Sequence, residues 1–67
     1  MSSSDLAEIF KAIDVLIAAD EGDYRISEEN VLSAVICIRT RYEHLSKSEK
    51  EQLSRFWGFI SRCLFDL

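Results

Sequence analysis

Leu53-Ser54-Arg55-Phe56-Trp57-Gly58-Phe59-Ile60-Ser61-Arg62-Cys63-Leu64-Phe65-Asp66-Leu67 carries more than half of the chain's aromatic side chains. Read at about 100° per residue, Leu53, Phe56, Trp57, Ile60, Cys63, Leu64 and Leu67 share one side of a helix. Phe59 sits at the edge of that stripe and Phe65 lies well outside it. A small domain rarely needs apolar groups so far round one helix. The segment therefore reads as the main contributor to a core, with apolar surface left over for another protein.

Just upstream, Leu45-Ser46-Lys47-Ser48-Glu49 fits the S-x-x-E capping box, so a helix should begin at Lys47 and run to about Phe65. Gly58 falls inside it, either admitting a close backbone neighbour beside Trp57 or simply tolerated at about 1 kcal/mol relative to alanine. The joint is short enough to force a sharp turn or an antiparallel hairpin with the helix before it.

That preceding helix is expected over residues 28–44. Ser27 caps it, Glu28 and Glu29 occupy its first turn, and Ile26 can staple onto Val31. Val31, Val35, Ile38, Tyr42 and Leu45 alternate spacings of four and three, the pattern of a seam for a neighbouring helix. Leu32 and Ile36 point away from that seam. They face either a third helix or a second chain. Arg39 lies near the seam, where its stem can cover apolar surface or its guanidinium can anchor an interface.

A first helix is expected over residues 5–19, capped by Ser3 or Ser4, with Asp5 and Glu8 near the positive end of its dipole. Leu6, Ile9, Phe10, Ile13, Leu16 and Ile17 form its apolar stripe, with Val15 outside it. Gly22 suits a helix stop by adopting positive φ. No proline, no Asn-Gly or Asp-Gly hairpin signal and no period-two alternation occurs, which argues against a sheet. The expected fold is all-α: a small three-helix bundle over residues 1–67 as a single domain, possible to complete by homodimerisation.

Sixty-seven residues, 48% hydrophobic and 30% charged, describe a globular chain near the size where one core barely offsets chain entropy. Two cysteines without a CxxC spacing and one histidine cannot build a four-ligand zinc site, so no metal or cofactor is expected. The acidic start lacks the basic and apolar regions of a secretory signal, and no apolar run approaches a membrane span. A cytoplasmic protein with reduced thiols is the expectation.

Charge is uneven. Residues 1–33 hold eight acids against two bases, and residues 34–67 hold four against six. Asp20, Glu21 and Asp23, with Glu28 and Glu29, form the densest acidic patch, able to steer a basic partner. Acids also collect at helix starts for dipole reasons, which accounts for Glu28 and Glu29 without any partner. An EF-hand alignment that sets Ile26 at the eighth loop position leaves the first ligand, the last ligand and the glycine missing, so calcium is not expected.

Catalysis finds little support. No nucleophile and base sit at a meaningful spacing, no glycine loop cradles phosphate, His44 reads as exposed, Cys37 faces away from the helix-two seam and Cys63 is a buried small hydrophobe. A membrane-surface role would need a more basic polar face than residues 46–67 offer. The alternative from another class is a small helix-turn-helix transcriptional regulator reading nucleic acid through Lys47, Lys50, Arg55 and Arg62. The acidic chain and the aromatic middle of that helix weigh against it.

The reading reached is a non-enzymatic protein-protein interaction module: a small acidic helical regulator, inhibitor or adaptor that occludes a partner protein and forms a homodimer. Phage- and plasmid-encoded inhibitors and secretion co-chaperones share this size and character, a class-level analogy only. The binding residues expected are Phe59 and Phe65, then Leu32, Ile36 and Arg39, with Trp57 in the same surface and Asp20, Glu21 and Asp23 steering.

Overall fold

The structure is a computed structural model and describes residues 4–65. It is all-α. Helix α1 spans Ser4–Asp20, α2 Glu28–Arg41, α3 Lys47–Gln52 and α4 Trp57–Phe65. Short 3-10 turns at Tyr42–His44 and Ser54–Phe56 follow α2 and precede α4. The expected Ser3 cap and the place of Leu67 on the last stripe lie outside the described residues.

The helix ends follow local chemistry. Helix α1 stops in a Schellman motif: Gly22 at φ 86° donates its N–H to the Ala19 carbonyl, and Asp23 donates to Ala18. The Ser27 hydroxyl accepts from the Asn30 N–H at 3.2 Å, capping α2. At α3 the capping box is complete. Ser46 Oγ accepts from the Glu49 N–H, and a Glu49 carboxylate oxygen accepts from the Ser46 N–H at 2.8 Å.

Helices α1 and α2 run antiparallel. Arg41 at the end of α2 reaches Asp5 at the start of α1, Nη1 to Oδ1 2.7 Å. Both side chains are about 40% exposed, so solvent screens the pair and it fixes direction more than it adds stability. Ala12 of α1 and Ala34 of α2 are both buried and line one furrow between the two helices. Small side chains there let the helix axes approach. The same approach half-buries Val15 and Cys37, which the wheel had put on the far sides of their helices. The Cys37 thiol donates to the Glu8 carbonyl at 3.6 Å. The wheel assigned Cys37 away from a seam centred on Ile38, but α1 occupies the Ala34–Cys37–Arg41 side of α2.

The core is Ile9 and Ile13 from α1, Ile38 from α2, Leu45 and Leu53 from the joints, and Ile60 and Cys63 from α4, with the two alanines. The helix expected over residues 47–65 is broken at Leu53, whose backbone sits at φ −96°, ψ 3°. Neither proline nor glycine causes the break. Helix α3, KSEKEQ, buries nothing, so no packing force holds it in line with apolar α4. Breaking the helix lets Leu45 and Leu53, on either side of α3, both enter the core. Burying a leucine is worth about 1.5–3 kcal/mol, and the 3-10 turn limits the loss of backbone bonds. Leu53 donates to Lys50, Phe56 to Leu53 and Trp57 to Ser54.

Gly58 has open space where a Cβ would stand. No backbone approaches it, so it is tolerated rather than required. Gly58→Ala should raise stability by about 0.5–1 kcal/mol, read as a higher urea midpoint at unchanged slope.

Candidate protein-interaction surface

The break at Leu53 divides two neighbouring aromatics. Phe56 turns toward α1 and meets Phe10 edge to face, centroids 6.2 Å apart. Trp57 turns toward the end of α2 and lies 6.2 Å from the Tyr42 ring. Eight residues along α4, Phe65 packs against the same indole at 6.3 Å. Tyr42, Trp57 and Phe65 thus form one row on the outside of the bundle. Lys50 Nζ stands 5.2 Å from the Tyr42 ring centre and Arg55 sits over Phe56 at 5.6 Å, both within cation-π range.

Much of this apolar surface is open to water. Phe65 is 75% exposed, Leu32 59%, Ile36 51% and Trp57 45%. Leu32 and Ile36 are exposed because α1 covers the Ala34–Arg41 side of α2, and α4 reaches Tyr42 but does not extend over them. Arg39 is also exposed, one turn before Tyr42 on α2. Phe59 is placed differently from Phe65. It is half-buried and walls a groove of about 400 Å³ with Leu16, Ala19, Val31, Val35 and Cys63, with Asp20 and Arg62 at its rim. Phe59 and Trp57 therefore occupy different sides of α4.

The acidic joint is also divided. Asp20 and Glu21 are exposed, with no ion-pair partner among the described residues. Asp23 instead accepts from the Arg25 backbone N–H and from Nε and Nη2 of its guanidinium, all at 3.0–3.1 Å. The Arg25 side chain and then its N–H hold the Asp23 carboxyl below the usual carboxylate range. Its charge is spent inside the turn, leaving Asp20 and Glu21 as the free acids. Between Asp23 and Arg25, Tyr24 is 94% exposed. Sequence reading passed over it, although a tyrosine inside a charged joint with no apolar partner at helical spacing was the signal available.

No polar or charged side chain among the described residues is buried. No group of three or more His, Cys, Asp or Glu side chains among them is placed to hold a metal ion. The cysteines are both free. Burial pushes the Cys63 thiol above its ordinary value, with the Arg39 charge pulling slightly the other way, so this sulfur stays protonated at neutral pH and behaves as a small hydrophobe. His44 is exposed. No helix among the described residues is long and apolar enough to cross a membrane. The basic side chains of the nucleic-acid alternative do not share one helix: Lys47 and Lys50 lie on α3, Arg55 in the 3-10 turn and Arg62 on α4.

The exposed surface thus carries aromatic rings, branched aliphatic side chains and an arginine. No family model, curated protein or solved structure matches this chain.

Proposed function

We propose that this protein is a non-enzymatic interaction module, a small acidic regulator, inhibitor or adaptor that works by covering a surface of a partner protein in the cytoplasm. The observation that carries the reading is the row Tyr42–Trp57–Phe65, in which Phe65 is mostly and Trp57 nearly half exposed to water while the two rings are held against each other. Packed rings lose little side-chain entropy when a partner covers them, and aromatic residues with arginine dominate binding energy at protein interfaces. The free acids Asp20 and Glu21 supply a steering field. The two free thiols suit a reducing compartment.

The test is affinity capture from the native host with the parent chain, Trp57→Ala and Phe65→Asp. Both positions are exposed, so far-UV circular dichroism should not change. Half-buried Phe59 would confuse binding with folding and is left intact. Each variant should lose at least about 2 kcal/mol of affinity, roughly thirtyfold, if these rings are central anchors. Full retention of every captured partner by both variants would remove the aromatic row from the proposal.

A further inference from the structure

The outward side of α2 carries Glu29, Leu32, Ile36 and Arg39, spaced three, four and three residues apart, so they lie along one line of the helix. All four are exposed. Neither Glu29 nor Arg39 has an ion-pair partner among the described residues. The line is negative at its N-terminal end, apolar in the middle and positive at its C-terminal end. Two hollows flank the apolar middle. One, of about 540 Å³, is lined by Ile26, Glu28, Glu29, Val31, Leu32 and Val35. The other, of about 440 Å³, is lined by Ile36, Arg39, Thr40 and Glu43.

We infer that α2 pairs with α2 of a second copy of this chain, antiparallel across a twofold axis. In this register Leu32 faces Ile36 of the second copy, and Arg39 faces Glu29 of the second copy. The symmetry repeats both contacts, giving an apolar centre closed by an ion pair at each end. Leu32 of the second copy enters the hollow beside Ile36 and Thr40. Ile36 of the second copy enters the one beside Leu32 and Val35. Knob-into-hole packing of this kind is what an alternating three-four spacing selects.

Charge order picks the occupant and its direction. A parallel pair would set Glu29 against Glu29 and Arg39 against Arg39. Only the antiparallel pair joins each acid to a base, and the chain itself carries the complement of its own stripe. The inference rests on reading the exposed apolar side chains as contact surfaces, and it divides them: α2 for the second copy, the aromatic row for the foreign partner. Helix α2 has 14 residues and is thus about 21 Å long. A single short helix is a small contact beside the roughly 800 Å² per partner of a standard interface, so the dimer is expected to be weak and reversible.

Sedimentation equilibrium of the reduced full chain, carried to high micromolar concentration, tests this. The parent should show a monomer–dimer equilibrium. Glu29→Arg and Arg39→Glu each create two like-charge pairs per dimer and should each weaken dimerisation about tenfold or more at low salt. Combining the two in one chain reverses each pair and should restore most of the affinity. Leu32→Glu should leave a monomer. All these positions are exposed, so each variant should keep the parent's circular dichroism. A parent chain that stays monomeric at the highest concentration, or a double variant no tighter than the singles, overturns the inference. A monomeric parent whose foreign partner is still lost on Phe65→Asp would refute the α2 pairing alone. The expected charge-reversal pattern with target capture indifferent to Trp57 and Phe65 would support the pairing and refute the aromatic row alone.

Discussion

Ile38→Ala should remove about 2–5 kcal/mol of the folding free energy of this domain, while Ile36→Ala, two residues earlier on the same helix, should leave it nearly unchanged. Ile38 is completely buried, among core side chains from α1, α4 and both joints. Truncating such an isoleucine costs about 2–5 kcal/mol, the lost transfer energy plus the cavity left behind. At about 0.05–0.15 kcal/mol per residue, a chain of 67 residues holds only about 3–10 kcal/mol in total. The expected fall in Tm is therefore about 10 °C or more, and where the loss exceeds the total the variant is unfolded at room temperature. The Ile36 side chain is half in water already, so its truncation should stay within about 1 kcal/mol. Urea unfolding at nanomolar concentration, below the range in which α2 pairing is proposed, separates the two. Equal losses would mean that α2 is rotated from the orientation described.

Ala34→Leu is the second large effect, and it acts in the opposite sense, by excess volume. Ala34 is buried in the furrow where α1 and α2 approach, close to Ala12. Ala34 is only 5% exposed, so a leucine there must push the helices apart or leave its preferred rotamer to reach the furrow, which typically costs about 1–3 kcal/mol. Separating α1 from α2 would also lengthen the Cys37–Glu8 and Arg41–Asp5 contacts that cross the same interface. The expected outcome is a lowered urea midpoint together with faster amide exchange at the facing positions of both helices. A fully stable Ala34→Leu variant would show that the helices do not pack on their alanines. On a helical wheel alanine carries too little hydrophobic weight to mark a contact, so neither Ala12 nor Ala34 was expected in the core.

The same distinction between local and remote causes runs through the surface. Leu32, Ile36 and Phe65 were legible as surplus because each lies off the apolar stripe of its own helix, and spacing alone reveals that. All three are exposed. The different placement of Phe59 was not legible. Its groove is made by Leu16, Val31 and Val35, contributed by two other helices. Asp23 looked like one more acid of the steering patch. The turn folds Arg25 back onto it and takes it out of that patch.

The order of residues was sufficient for whatever depends on one turn of chain. It determined the all-α class, the extent of α1, the start of α2, the caps at Ser27 and Ser46, the stop at Gly22 and the presence of apolar side chains beyond the needs of the stripes; the helix expected over residues 28–44 ends instead at Arg41, with Tyr42–His44 wound as a 3-10 turn. Capping, glycine φ and helical period act over a few residues, so neighbours in sequence carry all the information. The tertiary structure alone decided the break at Leu53, the burial of Ala12 and Ala34 where α1 meets α2, the inward turn of Cys37 and the meeting of Tyr42, Trp57 and Phe65. Each of these balances a local backbone or side-chain preference against burial beside residues far away in the chain. At Leu53 the burial was worth more than the straight helix, and that comparison exists only once the core has formed.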